Sequence, residues 1–267
     1  MNKFNNANLD WITKTDVVSD LALGNDLDSL ISCNLLQHIT GGKWDINYFY
    51  DFHDFYKHEK TGNIFIGVDM AFTKNVRTFD NHLTDRSNKV SINYNHIKGL
   101  TRSDYCKKYP FSTLMTIMNV YNIPLPKTTE GKSILLAIDS SFKGHYTTNS
   151  YFKSIHTNWL KELGFEELIR LLDQKDSKYF YKIIDYFKLN SPISINEEGK
   201  LETDIKLDLL NNYLDWKIEL PQQQFNHVKG CVREGHKIGV KKLPPLDKLI
   251  SLAYTAKNYI SYTYKEA

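Results

Sequence analysis

A chain of 267 residues with 41% hydrophobic and 24% charged content can bury an ordinary core, as one large domain or two modest ones. Its formal charge of +3 permits a polyanionic ligand but does not by itself mark a nucleic-acid binder. The cysteines Cys33, Cys106 and Cys231 form no CxxC pair, which argues against a zinc site or a disulfide scaffold and suits a reducing compartment. No apolar run reaches membrane-spanning length, and the first sixteen residues lack the apolar centre of a signal peptide. A cytoplasmic protein with no membrane partner is therefore expected.

Residues 1–16 read as a lead-in. Residues 17–24 are an apolar run with strand character, broken by Asn25-Asp26-Leu27-Asp28. Helical spacing follows from Ser29 to Thr40 and stops at Gly41-Gly42. Two carboxylates one residue apart raise each other's pKa unless a cation compensates, so Asp26 and Asp28 suggest a hard divalent metal site. The alternative is a solvated turn with an Asp helix cap. INYF, residues 46–49, suits a second strand. NIFIGVDMA, residues 63–71, is a buried strand ending in Asp69, and VRTFDNHL repeats that pattern with Asp80, Asn81 and His82. Tyr109 to Tyr121 predicts a helix starting near Pro110. SILLAI, residues 133–138, reads as another apolar strand, ending in Asp139. Residues 150–190 are strongly helical, Pro192 to Glu202 suits a short hairpin, and LDLLNNYLDWKIEL suits a helix or a helix–strand pair. Strand-like pieces lie around Val228 and Ile238, and residues 246–262 read as a closing helix.

The fold expected is α/β. A mainly parallel sheet flanked by helices spans 1–150, and a smaller, helix-rich α+β domain spans 151–267. Four parallel strands at 17–24, 63–68, 76–79 and 133–138 would bring Asp26, Asp28, Asp69, Asp80 and Asp139 to one sheet edge, with His82 beside them. Such a group of unpaired carboxylates is rare without a cation.

The ordered segments NDLDS, GVDMA, FDNHL and AIDSSF resemble the motifs of the DHH phosphoesterase superfamily, which includes nanoRNases, single-strand exonucleases, cyclic-dinucleotide phosphodiesterases and family II pyrophosphatases. PFSTLM is similar to the Ser/Thr-containing helix start between the third and fourth motifs, and SSFKGHY to the loop after the fourth. The resemblance covers about residues 17–146. VREGHKIGV, residues 232–240, is similar to the glycine-rich segment that holds substrate in the second domain of many members.

The resemblance implies one or two Mn2+ or Mg2+ ions held by Asp26, Asp28, Asp69 and Asp139, with Asp69 as bridge. It also implies Asp80 orienting a neighbour, His82 near the leaving oxygen, and Arg233 and His236 on a substrate phosphate. Lys143 and His145 are further phosphate candidates. The activity implied is hydrolysis of a phosphodiester in a nucleotide or in short or single-stranded nucleic acid. Two departures stand out. Ala22 and Gly24 lie where many members carry an early ligand, and Asn81 replaces the middle His, offering an amide oxygen to a hard cation. They keep open a non-catalytic relative that binds a nucleotide or a partner. A third reading is an RNase H-like nuclease, which would open with antiparallel strands.

Overall fold

A computed structural model describes residues 7–86 and 88–266. Of the expected lead-in, residues 1–6 lie outside the described residues, and Ala7–Thr13 form a 3-10 helix.

The first supersecondary unit is a right-sized βαβ. Strand β1 (Ser19–Leu23) leads into helix α1 (Leu27–Thr40), which returns the chain to β2 (Trp44–Tyr50), parallel to β1. Helix α1 begins at a cap by Asp26 and ends at Gly41, whose φ of 62° is the left-handed conformation glycine accepts freely. It is buried along most of its length, including Leu27, Leu30, Ile31, Leu35 and Leu36, as befits a helix between sheet and further helices.

Strands β3 (Asp54–Lys57), β4 (Ile64–Val68), β5 (Arg77–Phe79) and β6 (Ser91–Ile92) extend the sheet. A short helix α2 (Tyr94–Ile97) follows, then α3 (Thr113–Val120), α4 (Thr129–Ala137), α5 (Ser150–Leu163), α6 (Glu166–Gln174) and α7 (Ser177–Phe187). Next come the antiparallel pair β7 (Ile193–Ile195) and β8 (Leu201–Thr203), the single turn α8 (Leu207–Leu210), and four last strands. These are β9 (Asn226–Gly230), β10 (Val232–Lys237), β11 (Leu249–Ala256) and β12 (Tyr259–Tyr264).

The main sheet has the order β6-β5-β4-β1-β2-β3-β9. Strands β6, β5, β4, β1 and β2 are parallel; β3 and β9 are antiparallel additions. From β1 the chain first builds β2 on one side and later β4 on the other. The order therefore reverses between β1 and β4, and a crevice opens there at the carboxyl ends of the strands. Strand alternation divides the core. Leu21, Leu23, Ile66 and Val68 face the helices, while Ala22 and the partly buried Phe65 face a second cluster with Tyr50, Met70 and Phe72. Gly67 lies under Phe72: a Cβ there would sit 2.7 Å from the ring, so only glycine admits this close packing.

On that second face sits a small antiparallel sheet, β10-β12-β11. It is sewn to the loops after β4 and β5 by backbone bonds: Thr73 N to Ile250 O at 2.9 Å, Leu252 N to Ala71 O at 3.0 Å and Tyr254 N to Leu83 O at 2.8 Å.

Three expectations are corrected. Residues 133–138 are not a strand but continue α4, whose cap Thr128 accepts from Gly131 N at 3.0 Å. A six-residue apolar run fits a buried strand and a buried helix equally, and the cap decides. Residues 246–262 are not a closing helix: LISLAYTA and YISYTY pair as a hairpin, favoured by their aromatic and β-branched content. LDLLNNYLDWKIEL forms only the single turn α8. The hairpin within Pro192 to Glu202 is present as β7–β8.

A boundary at 150 does not separate two cores. One buried cluster runs from Leu9 to Phe225 and takes in α5, α6 and α7, and β9 completes the main sheet beside β3. Among the described residues no helix is long and apolar enough to cross a membrane.

Candidate metal centre

The acids of three adjacent strands, β1, β4 and β5, and one helix end meet at the crevice. Asp26 accepts from Ser29 N at 3.0 Å, which makes it the α1 cap, and it also lines the cleft. The helix-cap reading of this residue is seen directly, and the carboxylate keeps a second oxygen on the cleft side. Burial, then the charge of Asp139, pushes its pKa up to about 6. Ser29 ties the turn to the next strand, taking Gly24 N at 2.6 Å and donating to Val68 O at 2.9 Å.

Asp28 is buried in the first turn of α1. Its two oxygens accept Thr113 N at 2.6 Å and Leu114 N at 2.9 Å, the free amides at the start of α3. Burial, followed by Asp139, Asp69 and Asp26, nevertheless holds its carboxyl well above the usual range. Asp69 follows β4 with a φ of 61° and accepts from the Thr113 hydroxyl at 2.7 Å. Burial, then Asp26, pushes its pKa up to about 7.

Asp80 follows β5 and is fully enclosed. One oxygen accepts Asn93 Nδ2 at 2.8 Å; the other faces His82 Nδ1 at 2.7 Å and the His82 amide at 3.2 Å. Burial pulls the His82 imidazole down, but Asp80, with Asp69 and Asp139 beyond, overrides it and raises the pKa to about 10. His82 is therefore a cation near neutrality in the cation-free protein. Its side chain is 36% exposed and faces the cleft.

Asp139 sits after α4 with a φ of 54°. Surrounding protein, then Asp69, pushes its carboxyl up, though the side chain reaches solvent at the cleft mouth. Asn81, expected to offer an amide oxygen to a metal, donates through Nδ2 to Asp139 at 3.2 Å and to Phe111 O at 3.1 Å, so its amide also orients a carboxylate.

Asp28, Asp69 and Asp139 present ligand oxygens within 4.8 Å of one another, and Asp69, Asp80 and His82 form a second such group. Asp69 belongs to both. Asp69 and Asp139, with Phe52 at a φ of 70°, are non-glycine residues in left-handed conformations lining the crevice. Such conformations cost about 1–3 kcal/mol each and gather at functional sites.

Two cavities share this centre. One, of about 340 Å3, is bounded by Asp26, Asp28 and Asp139 and by the Asn190-Ser191-Pro192 turn. The other, of about 170 Å3, is closed by Phe52 and by Ser251, Thr263 and neighbours of the small sheet. Arg233 lines both, its guanidinium 5.2 Å from the Phe52 ring centre, and it makes no ion pair among the described residues.

The other phosphate candidates lie elsewhere. His236 is three residues along β10 and so points to the opposite face, where it packs on Tyr262 with ring centres 5.6 Å apart. Lys143 lies over Tyr181, and the buried His145 pairs with Asp173 at 3.3 Å. Asp20, at the far end of β1, accepts from Asn47 at 2.9 Å and Asn63 at 3.0 Å, and also from Thr61. It is satisfied away from the centre.

The sequence reading did not single out Asn93 or the residues of β11 and β12 that wall the cleft. Thr113 lay within the quoted PFSTLM, and its position at a helix start is the signal that marks its amide and hydroxyl as donors.

No protein-family model, curated protein or solved structure matches the chain.

Proposed function

We propose that this chain is a metal-dependent phosphoesterase of DHH type, hydrolysing a phosphodiester in a nucleotide or in short or single-stranded nucleic acid. The observation that carries the reading is Asp69, one carboxylate common to two sets of candidate ligands at a strand-order reversal.

The donors suit Mn2+ or Mg2+: they are carboxylates, with the His82 imidazole held beside them by Asp80 and no thiolate among them. Their upward-shifted carboxyls are those of a group short of positive charge. A divalent ion bound there would supply Lewis-acid polarisation of a phosphoryl oxygen and neutralise charge on the substrate.

The chain's own groups do the remainder. The α3 amides hold Asp28 in one orientation, and Thr113 does the same for Asp69. Asp80 fixes His82 through Nδ1 and keeps it cationic, leaving Nε2–H to donate to a phosphate or leaving oxygen. Arg233 can grip a phosphate with its planar fork, which no ion pair among the described residues occupies. The small sheet screens one side of the cleft from water.

The test is hydrolysis of a chromogenic phosphodiester, short oligonucleotides, dinucleotides and pyrophosphate with Mn2+, Mg2+ or EDTA. Cleavage of a phosphodiester with Mn2+ and none in EDTA is expected. Tight binding of a nucleotide without turnover would instead select the non-catalytic reading, which the missing early ligand and Asn81 in place of the middle His keep open. Silence on every substrate with every ion would end the phosphoesterase account.

A further inference from the structure

The face of the main sheet opposite α1 is only partly covered by the small sheet. Between them lies a third cavity, of about 430 Å3, walled by Tyr48, Phe55, Phe65 and Phe72 and by Leu249 and Ile250 of β11. Its lining is almost wholly apolar and largely aromatic. Around its rim stand Lys74, Lys229 and Lys265, contributed by the loop after β4, by β9 and by the residue after β12. All three are exposed, and none makes an ion pair among the described residues. The Lys229 ammonium lies 5.2 Å from the centre of the Phe55 ring.

We infer that this groove seats a base of a single-stranded nucleic acid against its aromatic wall, with the flanking phosphates on Lys74, Lys229 and Lys265. The inference deepens the phosphoesterase reading by naming its substrate class, and it rests on that reading for the link between groove and cleft.

Two features favour this occupant over an acyl carboxylate, which would also fit an apolar cavity, and a third sets how a base would be read. A monoanion needs one ammonium, whereas three unpaired ones from three separate segments match a polyanion. Burial together with Lys265 and Lys74 lowers the Lys229 pKa, so the three charges already oppose one another until an anion arrives. The wall also has few polar groups to read base edges, which is the chemistry of sequence-tolerant stacking. Groove and cleft are neighbours along the chain. Phe72 lies three residues after Asp69, and Ile250 in the groove is followed by Ser251 in the cleft, across the Phe72–Ser251 bridge. A strand held at Arg233 could therefore continue past Phe72 onto the lysines.

The test is fluorescence anisotropy with labelled oligothymidylate in EDTA, across a range of KCl, so that turnover plays no part. The wild type is expected to bind with a clear salt dependence. The triple variant Lys74→Ala, Lys229→Ala, Lys265→Ala is expected to bind at least tenfold more weakly, with the log–log salt slope reduced by about 2, since each phosphate contact on a single strand contributes about 0.7. Phe65→Leu should weaken binding roughly tenfold at unchanged slope, because it removes a stacking face and no charge. Melting curves establish that each variant is folded.

Unchanged affinity and slope in the triple variant would overturn the inference. So would a wild type that ignores the oligonucleotide but binds a long-chain acyl carboxylate. Oligonucleotide binding that depends on the lysines, in a protein that hydrolyses nothing, would leave the groove standing and remove the phosphoesterase reading. Hydrolysis of a small diester with lysine-independent oligonucleotide binding would do the reverse.

Discussion

Replacing Asp69 with asparagine is expected to destroy activity and stabilise the cation-free protein at once. Asp69 is common to both groups of candidate ligands, so the isosteric amide removes a shared charge without changing the side chain's shape. Loss of outer partners of a metal site alone costs about 10–100-fold, so a shared ligand should cost more than about a hundredfold in hydrolysis. The same change relieves crowding. In EDTA at pH 8 the Asp69 carboxyl, with its pKa near 7, is charged among Asp26, Asp28 and Asp139. Asparagine keeps an oxygen for the Thr113 hydroxyl and removes that charge. The melting temperature should rise, by roughly 2–4 °C for each kcal/mol relieved. Activity down and stability up is the signature of a centre held against folding for the sake of function. A variant that melts lower and keeps its activity would contradict this role.

The second large effect is a dependence of stability on pH that metal offsets. In the folded, cation-free chain the pKa of Asp26 rises from 3.8 to about 6 and that of Asp69 from 3.8 to about 7, while that of His82 rises from 6.5 to about 10. All three shifts have one sign: between about pH 4 and 10 the native state binds more protons than the unfolded chain, so stability falls as pH rises. The carboxyl part is lost between about pH 4 and 7. The His82 part is complete below pH 6.5 and is lost as pH climbs through about 10. Melting temperatures in EDTA are therefore expected to drop steadily from pH 5 to pH 9. Saturating Mn2+ should raise them, and by more at pH 8 than at pH 5, because a cation binds the ionised cluster and adds its binding free energy to folding. A melting temperature that climbs with pH in EDTA, or that ignores Mn2+ at pH 8, would count against the centre.

Where the sequence was legible, the reason is local. The strand–turn–helix around Asp26 and Asp28 announces itself through an apolar run, a capping acid and Gly41, each acting within a few residues. The strand ending at Asp69 is likewise a continuous apolar segment of a parallel sheet, and the short Arg77–Phe79 strand repeats its strand-then-acid order at Asp80. Asp139 was found for a partly mistaken reason. It reaches the centre from the end of α4, through a left-handed turn, and not from a fourth strand. Long-range pairing was not legible at all. Nothing within 246–264 announces that β11 will bond to the loop after Asp69, and nothing around Asn226 tells that β9 will close the far edge of the main sheet. Those contacts decide which face of β10 meets the cleft, and hence why Arg233 lines it while His236 turns away. Short motifs fix where an acid stands in the chain. Which lysine or histidine reaches it depends on pairings between distant segments.

The most direct measurement is a calorimetric titration of the EDTA-stripped protein with Mn2+ at pH 8, alongside the Asp69→Asn, Asp139→Asn double variant. The account predicts saturable binding of one or two ions to the wild type and none to the folded double variant. A wild type that binds no ion, or a double variant that binds as the wild type does, would show that the gathered carboxylates are not a metal centre.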